Sequence, residues 1–148
     1  MSGSGEIQKK TFRLTMVVLA KPNIYMDAIS VTIPAWHGYM GFLCDRAPII
    51  ALMTTGIISI TAKSGDIYYY ATTGGIARFT DNNLVILCDT LFTEEETVVL
   101  AQKYEQLIAE GTIPPVPLKE VVLMTEEEKK YYVIGKFYER IKATQEDE

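Results

Sequence analysis

One histidine and two cysteines are all that this 148-residue chain offers for metal or thiol chemistry. A tetrahedral Cys/His zinc site needs four such ligands, so none is expected, and Cys44 with Cys88 makes no disulfide framework. The two read as small apolar residues on strands in a reducing compartment. No apolar run approaches the roughly 18 residues that would mark a membrane-spanning helix. The segment RLTMVVLA follows a basic pair, but its apolar core is short and lacks a small-residue cleavage site. It reads as a strand and not as a signal peptide. Basic clusters are scarce too: residues 1–92 carry 7 Lys/Arg against 6 Asp/Glu, and residues 93–148 carry 7 against 13. With an acidic C-terminal part and a net charge of −5, the chain is not built to track a phosphate backbone, so no nucleic-acid partner is expected.

An activated nucleophile is also missing. His37 stands alone in a glycine-bounded turn, and no hydroxyl or thiol has a recognisable base or elbow beside it. Gly74-Gly75 is followed by neither "GK(S/T)" nor a helix start, so it reads as a sharp strand entry and not as a phosphate cradle. Cys44-Asp45-Arg46 lacks the spacing of a phosphatase loop. No catalytic residue, metal site or cofactor is expected.

What is present is β grammar. From residue 12 to 90, short runs rich in Ile, Val, Thr and Tyr are punctuated by turn residues: FRLTMVVLA, IYMDAISVTI, GYMGFL, IIALM, GIISITA, IYYYATT, GIARF and LVILCDT. Lys21-Pro22-Asn23, Lys63-Ser64-Gly65-Asp66 and Asp81-Asn82-Asn83 are the turns. Many short strands at this spacing predict a β-sandwich or flattened barrel. After Thr90 the pattern changes. Thr93 with Glu96, and Thr125 with Glu128, have the capping-box spacing that opens a helix. Leu100, Tyr104, Leu107 and Ile108 recur at helical spacing before Gly111 ends the first helix, and the second runs to about Ala143. Between them Ile113-Pro114-Pro115-Val116-Pro117 cannot be helical. The expected fold is therefore mainly β with α: a flexible tail over 1–10, a β-sandwich over 11–92, and a two-helix domain over 93–148 with a proline-rich connector at 111–124.

In the second helix, Tyr131, Ile134, Phe137, Tyr138 and Ile141 share one face at about 100° per residue, while Lys129, Lys136 and Arg140 make a narrow basic stripe on another.

The first part of the chain resembles a known family, the epsilon subunit of rotary ATP synthases (the delta subunit of mitochondria). The resemblance rests on Pro34-Ala35-Trp36-His37-Gly38-Tyr39-Met40-Gly41, Arg46-Ala47-Pro48, Gly56-Ile57-Ile58, Gly74-Gly75 and Cys88-Asp89-Thr90, in the family's order and spacing. It implies a sandwich followed by a helical hairpin, in a noncatalytic central-stalk subunit that couples c-ring rotation to the catalytic head of a proton-translocating synthase. The implied partners are the gamma subunit, the c-ring and, through the helices, the catalytic alpha/beta hexamer. The implied place is peripheral and not inserted, on the cytoplasmic face of a bacterial inner membrane or the matrix face of an organelle.

Carried over, the c-ring and gamma contacts are His37, Gly38, Tyr39 and Arg46. Arg46 stands where histidine is common, and Tyr39 where an acid is frequent. Trp36 belongs to the same group and reads equally as an interface anchor or as a cap on the core's end. Lys129, Lys136 and Arg140 are the positions that would contact the catalytic head and restrain ATP hydrolysis. The "(I/L)-D-x-x-R-A" motif of ATP-binding relatives is absent, so no ATP site is expected. The alternative is a free-standing β-sandwich binding module with a helical tail.

Overall fold

The computed structural model describes residues 10–115 and 119–146. The tail expected over 1–10 lies outside these residues except for Lys10, as does part of the proline-rich connector.

Eight strands come first: β1 (Phe12–Val18), β2 (Ile24–Ala35), β3 (Gly38–Leu43), β4 (Ile49–Met53), β5 (Gly56–Ala62), β6 (Ile67–Thr72), β7 (Gly75–Thr80) and β8 (Asn83–Cys88). Helix α1 (Glu94–Ala109), a 3-10 turn at Val121–Leu123 and helix α2 (Glu126–Glu146) follow. Hydrogen bonding orders the strands β1-β8-β7-β4-β2-β5-β6, with β3 also on β2 and β1 returning to β2. The layers β1-β8-β7-β4 and β3-β2-β5-β6 are joined through β2, which also pairs with β1 and β4 and whose register against β5 shifts between Ala28 and Ser30. A bulge of this kind bends one strand so that it can serve two layers. The mainly β sandwich with two trailing helices is the architecture expected from the sequence. Its β1–β8 pair is parallel, which strand alternation does not reveal.

Inward-facing residues fill the sandwich. Leu14, Met16, Val31, Ile33, Ile58, Ile60, Leu84 and Ile86 are all fully buried or nearly so. At one end Phe79 packs edge-on to Phe12 at 5.4 Å and nearly parallel to Phe42 at 5.7 Å. A second cluster seats the helices on the outer face of β5 and β6, joining Ile57, Ala71 and Phe92 to Ala101, Val133, Ile134 and Phe137. Val133 lies beside the α2 face expected to be apolar, and its burial widens that face.

Both helix starts are made as the sequence predicts. The Glu96 amide donates to Thr93 Oγ1 at 3.2 Å and the Thr93 amide to Glu96 Oε1 at 3.4 Å. Thr125 and Glu128 repeat the exchange at 3.1 and 3.0 Å. Each box satisfies two amides that the helix cannot.

Candidate interaction surfaces

The β2–β3 hairpin pairs Pro34 with Tyr39 and Ala35 with Gly38, leaving Trp36 and His37 as a two-residue turn. Gly38 takes φ +112°, a conformation that side chains rarely adopt, and so lets the turn close. The turn is held from beneath: the Trp36 amide donates to the Leu52 carbonyl at 3.3 Å, and the Thr54 amide to the Pro34 carbonyl at 2.9 Å. Trp36 is 55% exposed. His37 is exposed as well. Tyr39 is 63% exposed, yet its hydroxyl accepts from the Ile57 amide at 3.3 Å. A Cβ at Gly56 would lie 2.6 Å from Pro34 Cβ and 3.0 Å from that hydroxyl, so β5, which runs past this hairpin, must open on glycine.

Trp36, His37, Gly38 and Tyr39 are therefore brought together, and Arg46 is not among them. It follows the far end of β3, whose six residues span about 17 Å. There the Asp45 amide donates to Asn82 Oδ1 at 2.6 Å, Asn82 Nδ2 donates back to Asp45 Oδ1 at 3.0 Å, and Lys10 reaches Asp45 at 3.2 Å. The Asn82 amide and then the Lys10 ammonium hold the Asp45 carboxyl below its ordinary range. The half-buried Arg46 guanidinium lies 5.4 Å from the Phe42 ring centre.

A larger surface lies on the outer face of β1-β8-β7-β4. Val17, Leu87, Ile76 and Leu52 stand in register across four strands, and Ile50 and Val85 flank them beside Arg78. Leu52 is 59% exposed and Leu87 50%. Outward positions of a solvated sheet are normally polar. The signal was in the sequence, in the outward positions of IIALM and LVILC and in Ile76 of GIARF, which are as apolar as the inward ones. Only the register, which sequence does not supply, joins them into a row.

On α2 the basic stripe is partly engaged. Lys129 pairs with Glu126 at 3.3 Å, Lys136 lies 5.8 Å from the Tyr132 ring, and Arg140 lies 4.5 Å from the ring of Tyr69 on β6. Tyr131 donates to Glu127 at 2.7 Å, and that bond pushes its phenol up to about 12.

The glycine pair serves the strand entry. A Cβ at Gly75 would lie 2.0 Å from the Leu87 carbonyl oxygen. The Gly74 amide donates to Thr72 Oγ1 at 3.2 Å and is not free for a phosphate. Burial pushes the Cys88 thiol up to about 11, which keeps it unreactive. Among the described residues no group of three or more His, Cys, Asp or Glu stands close enough to hold a metal, and no helix is long and apolar enough to cross a membrane.

Residues 11–94 match the family model of the ATP synthase delta/epsilon chain beta-sandwich domain. The ATP synthase epsilon chain of Pelagibacter ubique is 42% identical over 66 residues, which are 45% of this chain and 50% of that one. The sodium-ion-specific ATP synthase epsilon chain of Propionigenium modestum is 32% identical over 110 residues, 74% of this chain and 78% of that one. The first match thus spans half of its relative's length and the second more than three quarters. Among solved structures, a chain of the Euglena gracilis mitochondrial ATP synthase (OSCP/F1/c-ring) aligns with TM-score 0.60 at 20% identity, covering 98% of this chain and 87% of that one. A chain of the Tetrahymena thermophila mitochondrial ATP synthase central stalk and c-ring aligns with TM-score 0.59 at 15% identity, covering 89% and 99%. At such identities the likeness is one of fold.

Proposed function

Because the chain belongs to the ATP synthase delta/epsilon family, we propose that it is a noncatalytic central-stalk subunit of a proton-translocating ATP synthase, standing between the c-ring and the catalytic head. The observation that carries this reading is the unpartnered apolar row Val17–Leu87–Ile76–Leu52. A rotor part must transmit torque without slipping, which asks for a wide rigid contact. Side chains fixed on four hydrogen-bonded strands supply one, and removing their apolar surface from water favours the contact. In this reading the gamma subunit covers the row.

The β2–β3 turn faces the c-ring loops. Trp36 and His37 project from a hairpin pinned to β4, and Tyr39 is braced on Ile57, so the turn is stiff enough to follow the ring. A tyrosine at 39 fits ring loops that offer carbonyls or carboxylates, while Arg46, past the far end of β3, would meet a partner apart from this turn. The placement is peripheral, at the cytoplasmic face of a bacterial membrane or the matrix face of an organelle. Through Lys129, Lys136 and Arg140 the helices also restrain ATP hydrolysis when they leave the sandwich and meet the alpha/beta hexamer. No bond is made or broken by this chain.

The test is an affinity pull-down of the tagged chain from gently solubilised membranes of its own organism. Recovery of gamma, the c-ring and the catalytic subunits is the expected result. A chain that stays wholly soluble and recovers none of them would be a free-standing binding module.

A further inference from the structure

Among the described residues β6 has β5 on one side, and on the other a pairing that begins and stops at once. Ala71 and Phe92 exchange both backbone hydrogen bonds, at 2.9 and 2.8 Å, as the first rung of an antiparallel ladder. Two residues earlier on β6, the N–H and C=O of Tyr69 point the same way, because the direction alternates along a strand. No described backbone segment outside β6 meets them, since the chain turns at Thr93 into α1. What remains is a groove of about 260 Å³, walled by residues 67–70 on one side and Thr93, Glu94 and Glu95 on the other.

Two observations say what this groove is shaped to take. Free edges are usually blunted by a lysine, a proline or a bulge. The sequence of β6, IYYYAT, has no charge and no proline, and it pairs with β5 without a register break. It is a template for another strand. The opposite wall is acidic: Glu94 and Glu95 are exposed, and neither forms an ion pair among the described residues.

We propose that this groove accepts an extended basic segment of a partner protein, added antiparallel to β6 in the register that Phe92 begins. Its backbone pairs with Tyr69, while its lysine or arginine side chains meet Glu94 and Glu95 and lie beside the ring of Tyr68, which is 43% exposed. The inference does not rest on the stalk role, because the apolar row described above belongs to the other layer of the sandwich.

The probe is the acetylated, amidated heptapeptide TKVKVKT, titrated into the ¹⁵N-labelled full chain, with TEVEVET as its charge-reversed control. The lysine peptide should slow amide exchange at Tyr69 and shift the resonances of residues 67–70 and 93–95, while the glutamate peptide leaves both unchanged. The double variant E94Q/E95Q, with the rest of its spectrum intact, should bind the lysine peptide about fivefold more weakly. The proposal is overturned if the two peptides act alike or if Tyr69 gains no protection. It is equally overturned if protection grows with protein concentration before any peptide is added, which would assign the edge to a second copy of the chain.

Discussion

The ammonium of Lys21 stands 2.7 Å from the carboxylate of Glu96 and donates a second hydrogen bond to the carbonyl of Leu91. One cation from the loop after β1 thus ties the end of the sandwich to the first turn of α1. It also lies 5.4 Å from the ring centre of Phe92, where Lys130 of α2 approaches at 5.7 Å. Both helices are held where the sheet ends. Burial raises the Glu96 carboxyl, but the Lys21 ammonium and the Thr93 amide outweigh it, and the net displacement is downward.

Replacing Glu96 with Gln should therefore destabilise the chain in a pH-dependent way. The unfolded carboxyl titrates near 4.5 and the folded one lower, so ionised Glu96 favours the folded state above that value. The advantage vanishes as pH falls through the folded value. The pair is about two-fifths exposed, so its share is about 0.5–1 kcal/mol. Thermal unfolding of the two proteins should differ by a few degrees at neutral pH and converge as pH falls through the folded carboxyl's lowered value. A difference that persists in acid would show that Glu96 acts only by packing.

Two glycines make opposite predictions. Gly75 cannot accept a side chain, because its Cβ would meet the Leu87 carbonyl at 2.0 Å inside a paired strand. Gly75→Ala should cost about 3 kcal/mol or more, or prevent folding. Gly135, inside α2, has nothing within 4 Å of a Cβ and helps to line the groove of about 210 Å³ between the helices. Gly135→Ala should stabilise by about 0.5–1 kcal/mol, through the helix preference alone. Chemical denaturation reads both, and a destabilised Gly135→Ala would mean that α2 needs to flex there.

These residues show what a sequence discloses and what it withholds. Capping boxes are legible because Thr93 and Glu96, like Thr125 and Glu128, are three residues apart and their chemistry is local. The strand at Gly56 is legible as a pattern, but its reason is Pro34 and Tyr39, which come from another hairpin. Lys21 and Glu96 are 75 residues apart, and nothing in either neighbourhood announces the other. Alternation tells which residues share a face, and register alone tells that Leu52, Ile76, Leu87 and Val17 form one row. The same limit separates Arg46 from Trp36, because a motif that is continuous in sequence is divided by the length of β3.

Charging the outer row should abolish partner binding without unfolding the chain. Leu52 and Leu87 are both about half exposed or more, so Leu52→Lys and Leu87→Lys leave the core intact. In the membrane pull-down, the double variant should lose gamma and everything that gamma brings, while its melting temperature stays within a few degrees. A variant that still recovers gamma would move that contact to another face.

The helices offer the last test, because one residue of the basic stripe is occupied and another is not. Arg140 lies on the ring of Tyr69, a contact of about 0.5–1 kcal/mol that favours helices folded against the sheet. Among the described residues, exposed Lys136 makes no ion pair and touches only the ring of Tyr132 on its own helix, so none of them ties it to the sheet. If the extended helices restrain hydrolysis, removing the ring and removing a free cation must act in opposite directions. Tyr69→Ala frees Arg140 and loosens α2, so the reassembled complex should hydrolyse ATP more slowly. Lys136→Ala removes a charge available to the catalytic head and should make hydrolysis faster. Equal rates in both variants would confine the hairpin to a structural role, since a restraint that depends on leaving the sandwich cannot be indifferent to what holds it there.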